Sequence, residues 1–199
     1  MTNGNEDLIV IERIKKGDAE SFTCLYERYR DRVYGFAYRM LGVQSTAEDV
    51  TQEVFLVIIQ HPEKYQPARG SMLTFLCSIA RNNILNRFRR PSYGVEDNFD
   101  EDELDLIRDD YEANPLSSLL EQELTEKVDE CIALLPPLQR EVIVLRKFQE
   151  LSYQEISIVT GAELNVVKAR LHRARQSLAK NLASYINLKG GDCHEMRRS

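Results

Sequence analysis

The sequence predicts an all-α protein of two small helical bundles joined by an acidic flexible linker, the second bundle carrying a helix-turn-helix. Three observations predict it. Apolar residues recur at three- and four-residue steps along most of the chain, and no strand-like alternation interrupts them. One stretch is dense in Asp and Glu and poor in apolar residues. Glycine, proline and capping residues punctuate the rest at helix-length intervals.

The first helix is expected over residues 7–16, where Leu8, Ile11 and Ile14 share a face and Gly17 stops it. A second runs from about Ala19 to Leu41, with Phe22, Leu25, Tyr26, Tyr29, Val33, Phe36, Ala37 and Met40 as its apolar members, and stops at Gly42. Ser45-Thr46-Ala47-Glu48 has the capping-box form, so Ser45 is expected to cap a third helix that runs to about Gln60, ahead of Pro62. Ser71 is expected to cap a fourth that ends at Arg90, because Pro91 cannot continue it. Asn114-Pro115 opens a helix that ends before Pro136, and Pro137 opens the next, through about Phe148. Ser152-Tyr153-Gln154-Glu155 is a second capping box, whose helix stops at Gly161. The last helix is expected from about Glu163 to Ile186. The chain thus divides into an N-terminal domain (1–91), a linker (92–114), a C-terminal domain (115–188) and a tail (189–199).

Composition bounds the function. The chain has 199 residues, 43% of them hydrophobic, and a net charge of −6. An acidic average argues against nucleic acid as partner, but the distribution argues the reverse. No Asp or Glu occurs from Lys64 to Val95, a stretch holding Lys64, Arg69, Arg81, Arg87, Arg89 and Arg90. None occurs from Leu164 to Gly191, which holds Lys168, Arg170, Arg173, Arg175, Lys180 and Lys189. Between them lie Glu96, Asp97, Asp100, Glu101, Asp102, Glu103, Asp105, Asp109, Asp110 and Glu112, with Arg108 alone against them. Two basic patches flanking an acidic, self-repelling linker are two candidate phosphate binders, since neutralising phosphates releases counterions.

Other classes find little support. Cys24, Cys77 and Cys131 lie inside helical patterns and read as small core residues; no Cys/His spacing fits a zinc site, so neither metal nor cofactor is expected. His61, His172 and His194 are far apart with no recognisable nucleophile, and no enzyme is expected. The start lacks a basic-then-apolar leader, and no apolar run approaches the roughly 18 residues of a membrane span. A soluble, cytoplasmic protein without membrane insertion is expected. Cys193 and His194 fall in the tail, which is expected to be inert.

Residues 152–175 read SYQEISIVTGAELNVVKARLHRAR. A capped short helix, a glycine turn and a base-rich second helix make a helix-turn-helix pattern. The second helix needs apolar anchors on one face and hydrogen-bond donors on the other to enter a major groove. Leu164, Val167 and Leu171 supply the first, while Lys168, Arg170, His172, Arg173 and Arg175 point elsewhere. A conventional helix-turn-helix regulator with a sensing domain shares this pattern, but it leaves the first basic patch without a role.

The stretch LPPLQREVIVLRKFQELSYQEIS, continuing to VVKARLHRARQSL, resembles the C-terminal promoter-binding domain of extracytoplasmic-function (ECF) sigma factors of the sigma-70 superfamily, without a gap over about Leu135 to Leu178. The resemblance implies binding to the −35 promoter element, with Arg170, His172 and Arg173 toward bases and Arg146, Lys168 and Arg175 on phosphates. Glu163, Asn165, Val166 and Ala169 depart from the family's usual small hydroxyl residue, glycine, threonine and serine.

AEDVTQEVFLVI, residues 47–58, puts Val50, Val54, Val57 and Ile58 on one face and Glu48, Asp49, Gln52 and Glu53 on the other. It is similar to the sigma helix that docks on the clamp coiled coil of the polymerase β′ subunit, which implies that Asp49, Gln52 and Glu53 contact polymerase. GSMLTFLCSIARNNILNRFRR, residues 70–90, resembles the helix that melts and captures the −10 element. On that resemblance Arg81, Arg87, Arg89 and Arg90 supply charge, Asn82 and Asn86 hydrogen-bond base edges, and the preceding loop, with Arg69, captures a base. Phe75 stands where tryptophan is common and is expected to pack in the core; Asn86 stands where aspartate is common. The implied function is a sigma factor that binds core RNA polymerase, recognises −10 and −35 elements and leaves phosphodiester chemistry to the polymerase. Its implied partners are core polymerase, promoter DNA and an anti-sigma factor.

Overall fold

A computed structural model describes the backbone of residues 4–88 and 127–195, with side chains at 6–88 and 127–183. Every regular element among these residues is helical. The N-terminal bundle comprises α1 (Gly4–Lys15), α2 (Ala19–Leu41), α3 (Gln44–Gln60) and α4 (Met72–Phe88), with two short 3₁₀ turns, Pro62–Lys64 and Pro67–Arg69, between α3 and α4. The C-terminal bundle begins with helical residues 127–133, here α5. It continues through α6 (Pro137–Lys147), α7 (Tyr153–Thr160) and α8 (Leu164–Glu195). Arg89 and Arg90, the acidic stretch 92–114 and the start of the helix expected from Pro115 lie outside the described residues.

α2 is the spine of the first bundle, against which α1, α3 and α4 pack. Its helical stripe Leu25, Tyr29, Val33, Phe36, Ala37 and Met40 is buried, as the spacing requires of a core-facing helix. Asp18 caps its start by accepting from the Glu20 and Ser21 backbone N–H groups at 3.1 and 3.4 Å. Gly42 ends it in the left-handed region at φ 75°, where its N–H reaches the Tyr38 carbonyl at 2.7 Å. A buried polar knot fastens α1: the Tyr29 hydroxyl donates to Asp7 at 2.9 Å and Arg28 pairs with the same carboxylate at 3.2 Å. Burial and that neighbouring carboxylate push the Tyr29 hydroxyl above its ordinary range.

Three local expectations need correction. α3 starts at Gln44, with Val43 ahead of it making no side-chain cap. Ser45 therefore lies inside the first turn rather than before it, and Gln44 engages Glu48 at 2.9 Å, so no capping box forms there. Cys24 is exposed, because its neighbour Leu25 takes the inward position on α2. Cys77 and Cys131 are buried as expected, and burial pushes the Cys77 thiol up to about 12. α8 continues past Ile186 to Glu195, so helical backbone runs through most of the segment read as a tail.

Other boundaries follow the sequence signals. Ser71 accepts from the Thr74 N–H at 3.3 Å at the start of α4. Pro137 opens α6. The Ser152–Glu155 capping box is complete, with the Glu155 N–H on the serine hydroxyl at 3.2 Å and the Ser152 N–H on the glutamate at 2.9 Å.

The two bundles pack directly on each other. α4 lies along α7 and α2 along α6, and the buried apolar residues of both halves form one continuous cluster. Around that seam the contacts are polar. Arg32 donates to the Gln149 carbonyl at 2.6 Å, and Gln149 Nε2 returns a bond to the Arg32 carbonyl at 3.0 Å. Arg39 pairs with Asp129 at 3.2 Å and stacks 3.8 Å from the Phe148 ring centre. Arg140 donates to the Met40 carbonyl at 3.1 Å, near the C-terminal, electronegative end of α2. Glu155 accepts from the Ser71 and Thr74 hydroxyls at 2.9 and 3.0 Å. Arg81 meets Glu141 at 2.5 Å, with the two side chains 16% and 3% exposed.

Gly161 sits between α7 and α8 at φ 70°, and no heavy atom lies within 4 Å of where a Cβ would stand. Gly161→Ala should therefore cost about 1–2 kcal/mol through backbone strain alone. A chemical-denaturation midpoint unchanged from wild type would contradict that reading of the turn.

Candidate nucleic-acid interface

α7, the Gly161 turn and α8 form the helix-turn-helix. Val167, Leu171 and Ala174 are buried and hold α8 down on α6 and α7. The expected anchor Leu164 is half-buried, and Ala174 takes the third fully enclosed place. On the outer side Lys168, His172, Arg173 and Arg175 are exposed.

The three expected phosphate ligands of this half are brought together from two elements, α6 and α8. Arg146, at the end of α6, donates to the Leu151 carbonyl at 2.9 Å and stands 5.2 Å from the Tyr153 ring centre. A hydrogen bond from Arg175, and the charges of Arg175, Arg146 and Lys168, hold the Tyr153 phenol below its ordinary range. A cationic cluster thus gathers at the N-terminus of α7, the end at which the helix dipole also favours an anion. Tyr153 was missed as a site residue. Its only sequence signal is its place one residue after the Ser152 cap.

Arg170 departs from the expected outward arrangement. It is half-buried on the flank of the anchor face, close enough to the Glu141 carboxylate to act on its charge. Burial pushes Glu141 up, and Arg81 and Arg170 both oppose that push. The reason is position: residue 170 is one helical turn from both Val167 and Ala174, and α6 offers it a buried acid.

In the N-terminal bundle the residues expected at DNA separate into two sets. Asn82 and Asn86 are exposed on α4, and Arg69 is exposed on the second 3₁₀ turn. Arg81 instead points to Glu141. Arg87, with a side chain only 17% exposed, bridges to α3, reaching Glu53 at 2.8 Å and Asp49 at 3.6 Å. One expected DNA residue is thus bound to two expected polymerase residues. Phe75 is half-buried 5.7 Å from the Tyr65 ring, in keeping with a packing role.

Asp49, Gln52 and Glu53 all lie exposed on one face of α3. Leu56 and Ile59 extend that face toward the C-terminus, 49% and 50% exposed. Sequence reading missed both, although their three- and four-residue steps from Gln52 place them there. Among the described residues no helix is long and apolar enough to cross a membrane, and no group of three or more His, Cys, Asp or Glu side chains is placed to hold a metal ion.

Residues 25–92 match the Sigma-70 region 2 family and residues 125–178 match Sigma-70, region 4. The ECF RNA polymerase sigma factor SigW of Bacillus subtilis is 32% identical over 177 residues, covering 86% of this chain and 94% of that protein. The ECF sigma factor SigE of Mycolicibacterium smegmatis is 34% identical, over 83% of this chain and 63% of that longer protein. The fold resembles that of the sigma factor RpoE of Bartonella quintana, solved in complex with the anti-sigma factor NepR, with TM-score 0.67 and 21% identity over 83% of this chain and 98% of that one. The chain belongs to the ECF sigma factors of the sigma-70 family, non-enzymatic subunits that direct promoter-specific transcription initiation by RNA polymerase.

Proposed function

We propose a division of labour among the three exposed surfaces. The face of α3 carrying Asp49, Gln52 and Glu53 holds core polymerase, with Leu56 and Ile59 adding apolar contact. α4 and the loop before it, with Asn82, Asn86 and Arg69, hold the opened −10 strand, and Arg89 and Arg90, which follow α4 in sequence outside the described residues, add to that role. α8 reads the −35 duplex through His172 and Arg173, while the cluster of Arg146, Lys168 and Arg175 around Tyr153 grips phosphate. The domain boundaries at 91, 115 and 188 follow from the same reading, as does a cytoplasmic location beside the polymerase. An anti-sigma partner is proposed by analogy with the RpoE complex. The observation that carries the reading is the outer face of α8, where Lys168, His172, Arg173 and Arg175 are all exposed above a buried Val167–Leu171–Ala174 anchor. Arg87 takes a second role here: paired to Asp49 and Glu53, it sets the direction in which those carboxylates meet the polymerase.

Two measurements test the assignment. Replacing Asp49, Gln52 and Glu53 together by alanine should weaken the complex with core polymerase at least tenfold, because the face loses its charge. The fold should persist, because all three side chains are exposed. Unchanged affinity in a titration of labelled chain against core would remove α3 from the interface. Arg173→Ala should lower affinity for the cognate −35 duplex more than for scrambled DNA, by the roughly 1–3 kcal/mol that a bidentate arginine–guanine contact contributes. Equal losses on both duplexes would make Arg173 a phosphate clamp and shift base reading to His172.

A further inference from the structure

Asn165 and Ala169 of α8 are exposed and have no role in the division of labour above. Helix geometry nevertheless puts them where a groove-reading helix meets the bases. Each stands two residues from the buried Val167, one before it and one after. At 3.6 residues per turn, each therefore lies about 160° around the helix from that anchor. They are four residues apart, share one face and stand about 6 Å apart along the axis. His172 and Gln176, also exposed, continue the stripe at steps of three and four.

The cations lie to the sides of this crest. Lys168 and Arg175 fall on one flank, toward Tyr153. Arg173 falls on the other, the side of the half-buried Arg170. A helix lying in a major groove turns such a crest to the base edges, while long side chains on its flanks reach either a phosphate or a base.

The crest also has a definite chemistry. The Asn165 carboxamide offers one acceptor and one donor together. Adenine presents the complementary pair in the major groove, its N6 amino group and N7. Guanine presents two acceptors there, so an asparagine keeps only one of the two bonds on it. The Ala169 methyl offers only apolar contact, and thymine alone of the four bases carries a methyl group in that groove. Neither side chain is charged, so neither contributes to counterion release.

We propose that Asn165 and Ala169 determine which base sequence this chain selects, Asn165 by a paired contact to an adenine and Ala169 by packing on a thymine methyl. This rests on α8 reading the −35 duplex, as proposed above. Neither residue is among those that the family resemblance implies at bases. The family's usual residues at these two positions are glycine and serine, so the preference that Asn165 and Ala169 confer belongs to this chain.

The full chain assembled with core polymerase, selecting from a pool of random-sequence DNA duplexes, provides the test. Wild type should enrich an upstream element that contains A·T pairs. Replacing one adenine of that element by 7-deazaadenine removes the N7 acceptor and should weaken wild type roughly fivefold. Replacing one thymine by uracil removes the methyl group and should weaken it roughly fourfold. Asn165→Ala should be indifferent to the first exchange and keep the second. Ala169→Gly should show the reverse, a crossed pattern that general damage to α8 does not produce. Both variants should keep the wild-type salt dependence, since no phosphate contact is lost. Should glycine weaken the helix, Ala169→Ser carries the same comparison, because its hydroxyl placed against the methyl should remove the preference for thymine over uracil. An enriched element without A·T pairs, or variants that respond to both exchanges as wild type does, overturns the assignment and leaves the −35 reading standing. Enrichment of no upstream element by wild type refutes the −35 reading, and the assignment with it.

Discussion

The structure turns on the need to neutralise a buried carboxylate. Glu141 lies in α6 among Val142, Ile143, Val144 and Leu145, all buried. An acid in that setting is tolerated only with cations beside it. Arg81 and Arg170 supply them, one from each side of the seam. Removing one partner of such a buried pair typically costs about 3–5 kcal/mol, far more than the pair contributes against an apolar alternative. Its value lies in specifying where α4 meets α6 and α7. The surrounding contacts of Arg32, Arg39 and Arg140 repeat the pattern with backbone carbonyls and Asp129. What remains exposed after these pairings is what DNA and polymerase can reach.

Much of the fold was legible because its signals are local. Ser152 and Glu155 are three residues apart, and Gly161 needs only its own φ, so that capping box and turn could be read directly from the chain. The same four-residue pattern at Ser45 misled, because α3 begins two residues earlier than a Ser45 cap requires and Gln44 occupies Glu48. Cys24 was placed in the core on residue type, although the helical phase already favoured Leu25 as the inward residue. The helical extension to Glu195 had no apolar stripe to announce it.

The candidate site was legible as charge and illegible as orientation. Counting arginines found both basic patches. It did not reveal that Arg81, Arg87 and Arg170 are each engaged by acids from other helices, at sequence separations of 60 residues for Arg81 with Glu141 and 34 for Arg87 with Glu53. Pairings at that range depend on the tertiary fold. Tyr153 is the converse case: a residue without charge that organises Arg146, Lys168 and Arg175 because it stands where three elements converge.

These pairings leave each of the two basic surfaces a reduced and specific set of exposed donors. The central claim is that one surface serves each of two promoter elements. Mapping the start sites of transcripts made by core polymerase with this chain, from a library of genomic fragments, tests it most directly. The account predicts start sites that share two upstream elements at a constant spacing. Transcripts sharing a single element, or no transcripts above core alone, would contradict it.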